Sequence, residues 1–235
     1  MYMKVVLDHI EAEAPSILTF YFRPERALPF VAGQFVELSL KHRDADTRGD
    51  KRLFTLSSSP TDDLLSITYK FATQDGSSFK TALTSLKPGD SLTMSQPRGS
   101  FVLPKHAKTP LVFVAGGIGI APFRSMVAWL AKMGEERSIK LFYGVSNEEE
   151  IIFQSTFKKL RQDVSIVISN PSPGWSGERG YLNAKLILGL KKLSEDALIY
   201  ISGPEGMVKS LRKDFYAAGV SESQLVLDRF TGYRA

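Results

Sequence analysis

The strongest constraint on the fold of this chain is a change of pattern near residues 104–110. Before this point, short runs of alternating apolar and polar residues are divided by turn residues, which is typical of β-strands. After it, apolar runs of strand length alternate with stretches of helical period, which is typical of an α/β domain. The polar, proline-bounded stretch 104–110 is the predicted linker. The chain is therefore predicted to have two domains, residues 1–104 and residues 110–235.

The first half is predicted to be all-β. In residues 34–40, Val36, Leu38 and Leu40 share one face while the residues between them are polar. Similar runs predict further strands at 17–22, 65–71 and 91–94, separated by turns at Gly33, 75–76 and 88–90. Several short strands at this spacing indicate a barrel or a sandwich.

The second half is predicted to hold five strands, at 111–115, 139–144, 164–169, 198–202 and 225–228. A helix with one apolar face should follow the first strand and end at Gly134; that face comprises Phe123, Met126, Val127 and Leu130. Another helix should begin with three glutamates at 148–150 and end near Lys158, Lys159 and Arg161, matching the helix dipole. Strands alternating with helices predict a parallel sheet covered on both faces.

Composition narrows the possible functions. The 235-residue chain has no cysteine, which excludes disulfides, thiolate nucleophiles and an iron–sulfur cluster held by this chain. Its formal charge is +5, but the basic residues are scattered among acids, which argues against nucleic-acid binding. The amino terminus reads as a strand and not as a signal peptide, and the apolar runs are too short to span a bilayer. A cytoplasmic protein without membrane insertion is expected.

A glycine-rich turn, residues 116–122 (GGIGIAP), joins the first strand of the second half to its helix. The free N–H groups at a helix start bind phosphate when side chains do not block the approach. Gly116, Gly117 and Gly119 leave that approach open, and Pro122 fits the first helical turn. A tight turn kept only for packing is the alternative. Ser202, Gly203 and Pro204 follow another strand and should face the same crevice, unless they form an ordinary turn.

A second polar motif lies in the all-β half at residues 52–60 (RLFTLSSSP). Arg52 can bind a phosphate, Phe54 can cover a flat ring, and the hydroxyls of Thr55 and Ser57 can hydrogen-bond a ring nitrogen. A flavin nucleotide has these three requirements. The alternative is an exposed arginine on a half-buried strand with ordinary turn residues.

The order of these motifs resembles the ferredoxin-NADP reductase superfamily over nearly the whole chain. Residues 52–55 (RLFT) are similar to its flavin motif, and 116–122 and 202–204 are similar to its nicotinamide motifs. Between them follow Tyr69 and Lys70, then 75–78 (DGSS), 87–90 (KPGD) and 97–101 (PRGSF). The resemblance implies a six-stranded antiparallel β-barrel that binds FAD, followed by a Rossmann-like α/β domain with a five-stranded parallel sheet that binds NAD(P).

The resemblance also implies roles for individual residues. Arg52 would meet the flavin pyrophosphate, Phe54 would lie against the isoalloxazine or its chain, and Thr55 would approach flavin N5. The remaining flavin groups would be surrounded by Tyr69, Lys70, Gly76, Ser77 and Ser78. The nicotinamide nucleotide would lie on Gly116, Gly117, Gly119, Pro122, Gly203 and Pro204.

The closing residues 228–233 (DRFTGY) resemble the carboxyl-terminal ending of many bacterial members. Phe230 or Tyr233 would border the flavin and gate nicotinamide stacking, so Thr55, Ser202 and Phe230 form the expected catalytic set. Two residues depart from the family pattern. Phe54 replaces the usual tyrosine, and Ser202 stands where many members have a cysteine beside the nicotinamide.

The predicted function is a flavin-dependent oxidoreductase that passes a hydride from NAD(P)H to FAD. Electrons would then reach an external acceptor such as ferredoxin, flavodoxin or an oxygenase component, because this chain holds no cluster. Acids at 148–150 favour NADH over NADPH, although they also suit a helix start and Arg179 is able to fold in. The alternative is a non-catalytic regulatory or electron-transfer subunit. A metal-dependent hydrolase is disfavoured because His9, His42 and His106 lack ligand spacing and are expected at the surface.

Overall fold

The computed structural model describes residues 2–43, 45–71, 77–159, 163–190 and 193–228. The first half contains β1 (Tyr2–Ala14), β2 (Ile17–Pro24), β3 (Phe35–Ser39), β4 (Lys51–Thr55), β5 (Leu65–Lys70), α1 (Ser78–Thr84) and β6 (Ser91–Ser95). The second half contains β7 (Leu111–Gly116), α2 (Ala121–Met133), β8 (Ile139–Val145), α3 (Gln154–Lys159), β9 (Asp163–Ile168), β10 (Glu178–Arg179), α4 (Ala184–Leu190), β11 (Leu198–Ser202), α5 (Glu205–Ala217) and β12 (Leu225–Leu227).

The first half is a closed antiparallel barrel. Its six strands are ordered β4-β3-β6-β1-β2-β5, and every pair is antiparallel. Leu56, just beyond β4, bridges Ile67 of β5, and the Ser57 N–H donates to the Ser66 carbonyl at 2.8 Å. This contact joins the two edge strands, which satisfies the backbone groups that an open sheet would expose. The predicted strands are confirmed, while the short helix α1 was not predicted.

The second half is a parallel sheet ordered β10-β9-β8-β7-β11-β12. The five predicted strands are present. The sixth, β10, has two exposed residues, too few to produce a hydrophobic pattern. Phe113 and Ala115 of β7 enter one apolar cluster and Val112 and Val114 enter another, so both faces of the sheet are buried. The two clusters include side chains of α2 and α3 on one side and of α4 and α5 on the other.

Helix α2 forms as the pattern predicts. Its four predicted core side chains are each no more than 1% exposed, and Gly134 ends the helix in the left-handed conformation with φ of 65°. Glycine adopts this conformation without the Cβ penalty that other residues incur. At 13 residues each, α2 and α5 are the longest helices in the described parts of the chain, and none there is both long and apolar enough to cross a bilayer.

The single helix predicted from residue 148 to residue 161 is wrong. A 3₁₀ turn, Glu148–Glu150, is capped by the Asn147 side chain, an extended stretch follows, and α3 begins only at Gln154. The cause is the apolar run 151–153, because Ile152 is 3% exposed and both neighbours pack on the same cluster. A helix turns about 100° per residue and cannot direct three consecutive side chains into one core. Arg161 lies outside the described residues.

The barrel packs directly on the α/β domain around Phe101. Its ring centroid lies 5.6 Å from that of Phe123 and 5.2 Å from that of Tyr200, whose hydroxyl donates to the Val102 carbonyl at 2.8 Å. Gly33 has φ of 97°, and a Cβ added to it would lie 2.1 Å from the Phe101 carbonyl oxygen. Only glycine fits this position without displacing the backbone.

We expect Gly33→Ala to lower the free energy of unfolding by roughly 2–4 kcal/mol, since it combines backbone strain with an overlap against main-chain atoms. Urea denaturation followed by circular dichroism measures this change. Gly189→Ala is the control, because its helical site has no heavy atom within 4 Å of an added Cβ. The control should be neutral or more stable by about 0.5–1 kcal/mol. Equal stability of Gly33→Ala and the wild type would contradict the packing described.

Candidate functional site

The two glycine turns of the α/β domain lie against each other. They follow β7 and β11, which are neighbouring parallel strands, so both turns emerge at the same edge of the sheet. A Cβ added to Gly119 would lie 2.3 Å from the Ser202 carbonyl oxygen, and one added to Gly203 would lie 3.1 Å from the Gly116 Cα. The backbones are therefore in contact, and glycine is required for this approach.

The start of α2 is open to an incoming group. No side chain caps the helix, and Pro122 occupies its first turn. Gly117 has φ of 50° and no heavy atom within 4 Å of the position its Cβ would take. Uncapped N–H groups and the positive end of the helix dipole favour an anion at such a place. The structure therefore brings Gly116, Gly117, Gly119, Pro122, Gly203 and Pro204 to one surface.

Ser202 and Asp228 form a buried pair at this edge of the sheet. The Ser202 hydroxyl, in a residue 2% exposed, donates to Oδ2 of Asp228 at 2.8 Å. Burial raises the pKa of Asp228 to about 6, and the hydrogen bond from Ser202 partly opposes this shift. The pair is therefore a titratable group beside the glycine turns. The predicted Phe230 and Tyr233 lie outside the described residues.

The polar strand of the barrel divides its side chains between two environments. Thr55 is half-buried, and among the described residues its hydroxyl has no hydrogen-bond partner. Phe54 is 4% exposed, and its ring centroid lies 5.9 Å from that of Tyr69 and 6.0 Å from that of Phe79. Thr55 thus has a hydroxyl available to a ligand, while Phe54 is a core residue with little surface left for a flavin ring.

Two more predicted flavin residues are committed to the barrel. Ser57 is fully buried, and its hydroxyl lies 2.9 Å from those of both Ser66 and Thr68. Tyr69 is 1% exposed and its hydroxyl lies 2.7 Å from that of Thr84 on α1. These contacts favour a structural role for both residues, and their contact with flavin stays a prediction.

Lys70 lies where the two domains face each other. Its ammonium group is 2.5 Å from Oε1 of Glu150, which belongs to the turn after β8. A residue predicted from the barrel is thus paired with the α/β domain. Gly76 lies outside the described residues.

A cluster of cations, which we name the Arg52 cluster, contains Arg48, Arg52 and Lys80 around the carboxylate of Asp46. Nη2 of Arg48 and Nη2 of Arg52 each lie 2.8 Å from an Asp46 oxygen. Burial, together with the charges of Arg48 and Arg52, lowers the pKa of Lys80 to about 8. Only Arg52 of this cluster was predicted. The others lie on a polar loop and in the unpredicted helix α1, where no periodic pattern indicates that they converge.

Two buried atoms at this cluster lack partners within the described residues. They are Nε of Arg52 and the hydroxyl oxygen of Ser77, which is 9% exposed. A buried donor left unpaired costs free energy, so such groups mark places where an acceptor is expected. Ser78, also predicted, already bonds its hydroxyl to His42 and to the Asp46 N–H.

Helix α2 is bound to the barrel just beyond Thr55. Nη1 of Arg124 donates to the Ser57 carbonyl at 2.6 Å, and the Ser125 hydroxyl donates to the Ser58 carbonyl at 2.5 Å. We name these two bonds the α2 seam. Because α2 begins at the glycine turn, the seam fixes the position of that turn relative to the polar strand.

The acids after β8 are arranged around the loop that follows β9. Oε1 of Glu148 accepts from the N–H and the hydroxyl of Ser172, at 2.8 and 2.7 Å, and these bonds lower the pKa of Glu148. Arg179 folds into the same loop, where Nη2 donates to the Trp175 carbonyl at 2.7 Å. A carboxylate therefore stands at the end of the second strand, with an arginine held nearby.

The histidines lie apart from one another. His106 is exposed and His9 is 41% exposed beside Asp8, whereas His42 is partly buried between Leu40 and Ser78. The surface prediction is therefore wrong for His42, because both of its ring nitrogens are hydrogen-bonded. No group of three potential metal ligands occurs within the parts of the chain that the structure covers.

Sequence comparison identifies an oxidoreductase NAD-binding domain over residues 113–213. One component of the Na(+)-translocating NADH-quinone reductase of Psychrobacter arcticus, its F chain, is 31% identical over 159 residues, or 63% of this chain. The match covers only 38% of that relative's length. The corresponding component from Klebsiella pneumoniae is also 31% identical over 159 residues, which is 39% of its length.

Structural comparison identifies the same two-domain arrangement in solved proteins. The flavohem-like FAD/NAD-binding domain of a Vibrio cholerae nitric oxide dioxygenase has a TM-score of 0.83 at 19% identity, covering 97% of this chain and 98% of that one. A ferredoxin NADP+ reductase of Neisseria gonorrhoeae, solved with FAD and NADP, has a TM-score of 0.81 at 22% identity with the same coverage of both chains. The fold that the resemblance implied is confirmed.

We expect the stability contributed by Asp228 to fall as pH rises. Its folded-state pKa of about 6 is above the ordinary value of 3.8, so the folded protein binds the extra proton between these values. The contribution is complete below pH 3.8 and is lost as pH passes 6, by about 2–3 kcal/mol. Asp228→Asn should remove this dependence and should gain stability relative to wild type from pH 4 to pH 7.

Urea titrations at several pH values measure the difference between the two proteins. Asp63→Asn is the control, because Asp63 is exposed, and it should keep the wild-type profile. A constant difference between wild type and Asp228→Asn across this range would show that Asp228 is not buried as described.

Proposed function

We propose that this chain, which has the two-domain fold of the ferredoxin-NADP reductase superfamily and carries an oxidoreductase NAD-binding domain, is an NAD(P)H-dependent flavoprotein reductase. Residues 1–104 would bind FAD, and residues 110–235 would bind the nicotinamide nucleotide. The observation that carries the proposal is the α2 seam, which joins the start of the nucleotide-binding helix to the polar strand of the barrel. The two predicted half-sites are thus held next to each other.

The barrel contains groups that fit a flavin dinucleotide. The Arg52 cluster has three basic side chains and one carboxylate, so it carries an excess of positive charge suited to a pyrophosphate. Nε of Arg52 and the Ser77 hydroxyl are buried donors without an acceptor among the described residues. Thr55 presents a hydroxyl at the end of the same strand for a ring nitrogen. When bound, a flavin accepts a hydride from NAD(P)H and releases the electrons to an acceptor.

The α/β domain contains groups that fit the nucleotide. The pyrophosphate would lie at the uncapped start of α2, over the open side of Gly117. The nicotinamide would then extend toward Ser202, whose hydroxyl is oriented by Asp228 at 2.8 Å. Holding the two cofactors in reacting geometry is the contribution of the protein to such a transfer.

NADH is the proposed nucleotide. Glu148 lies after the second strand of the sheet, where a carboxylate suits a free ribose 2′-hydroxyl and repels a 2′-phosphate. Arg179, the basic residue nearby, is occupied by backbone carbonyls of the loop 172–175. Both features favour NADH.

The electron acceptor would lie outside this chain. The 235-residue sequence contains no cysteine, so it cannot ligate an iron–sulfur cluster with thiolates. Ferredoxin, flavodoxin and an oxygenase component fit this requirement. The alternative function, an electron-transfer or regulatory component of a larger complex, is favoured by one observation: the relatives from Psychrobacter arcticus and Klebsiella pneumoniae are each one component of a reductase.

Anaerobic stopped-flow absorbance tests the proposal. We expect the purified protein, reconstituted with FAD, to lose its flavin absorbance when mixed with NADH, and the kcat/KM with an artificial acceptor to be higher for NADH than for NADPH. The absence of bleaching with either nucleotide would refute the reductase function. A yellow protein that is inert with artificial acceptors would instead support the alternative function.

A further inference from the structure

The carboxylate of Asp46 is bound by donors that suit an oxyanion. Its Oδ1 accepts from Nη2 of Arg52 at 2.8 Å, and its Oδ2 accepts from Nη2 of Arg48 at 2.8 Å. The backbone N–H of Ser78 donates to Oδ2 at 3.2 Å. Two guanidinium groups and a main-chain N–H are the donors that proteins use to hold phosphate.

Arg52 is thereby fully engaged by its own loop. Besides Asp46, its Nη1 donates to the carbonyl oxygens of Arg48, Gly49 and Lys51 at 2.7–2.9 Å. A pyrophosphate cannot take these donors unless the loop 42–50 withdraws. Within this loop, the contacts described are polar.

We propose that Asp46 is an internal competitor for the anion site of the barrel, so that binding of the flavin pyrophosphate requires its carboxylate to leave Arg52 and Ser78. This inference rests on the proposed flavin function and adds a consequence to it. Flavin is then held as an exchangeable ligand whose affinity is set by the loop 42–50.

The charge balance favours such an exchange. One carboxylate faces three basic side chains in the Arg52 cluster, and two buried donors nearby lack an acceptor within the described part of the chain. A pyrophosphate carries more negative charge and more acceptor oxygens than Asp46 does. The competitor therefore fills the site without satisfying it.

The loop is attached by few bonds that a ligand can replace. Nδ1 of His42 donates to the Leu40 carbonyl, so Nε2 accepts from the Ser78 hydroxyl at 3.0 Å when the ring is neutral. The Ser78 oxygen in turn accepts from the Asp46 N–H at 2.9 Å. Arg43, Thr47 and Arg48 are exposed, so withdrawal of the loop uncovers little apolar surface.

Calorimetric titration of the full-length apoprotein tests the competition. Asp46→Asn removes the charge and keeps the size of the side chain, and Asp50→Asn is a control in the same loop. We expect Asp46→Asn to bind FAD and inorganic pyrophosphate about tenfold more tightly than wild type, which corresponds to one charge contact of ordinary strength. Riboflavin, which has no phosphate, should bind both proteins equally, and Asp50→Asn should match wild type for all three ligands.

Thermal unfolding gives a second readout. Without flavin, Asp46→Asn should have a lower Tm than wild type because its ion pairs are lost, and FAD should raise its Tm by more than it raises that of wild type. Asp46→Ser, which also lacks the charge, should behave in the same way and serves if the asparagine variant does not fold.

Several results would overturn the inference. Unchanged or weaker binding of FAD and pyrophosphate by the Asp46 variants would refute the competition, as would an equal gain for riboflavin. If no protein binds any flavin while the Asp46 variants bind pyrophosphate more tightly, the proposed flavin function fails and the competition at the anion site stands.

Discussion

The arrangement of the whole molecule depends on the α2 seam, where Arg124 and Ser125 donate to the carbonyl oxygens of Ser57 and Ser58. These carbonyls follow directly on the strand that ends at Thr55, and the helix that carries the donors begins at the glycine turn. Two hydrogen bonds thus set the distance between the flavin half and the nucleotide half of the proposed site. Packing of Phe101 between Phe123 and Tyr200 excludes water from the same interface.

The glycines extend this constraint to the backbone. Gly119 approaches the Ser202 carbonyl and Gly203 approaches Gly116 so closely that no side chain fits between them. The two turns therefore form one rigid surface, with the open side of Gly117 left for a ligand. By contrast, the Arg52 cluster is covered by a polar loop. The α/β half of the proposed site is thus preorganised, while the barrel half is arranged around an internal carboxylate.

Local pattern was sufficient to predict the strands, helix α2 and the glycine turns, because each depends on neighbouring residues. It failed at 148–161, where burial of Ile152 in the core outweighed a helix-like charge pattern. Local pattern also gave no sign that neighbours across the barrel bury Phe54 and Tyr69. Asp46 was not predicted, since its partners Arg52 and Ser78 converge on it only through the tertiary fold. Contacts between residues distant in sequence account for each of these gaps.

The rate of flavin reduction in seam variants tests the central claim most directly. If the seam sets the distance between the half-sites, Arg124→Met combined with Ser125→Ala should slow flavin bleaching by NADH at least about tenfold, since small displacements of reacting groups cost this much. The FAD dissociation constant should stay within about twofold of wild type, because the donors at the Arg52 cluster are untouched. Lys209→Met, on the exposed face of α5, is the control and should react like wild type. An unchanged bleaching rate in the double variant would contradict the account.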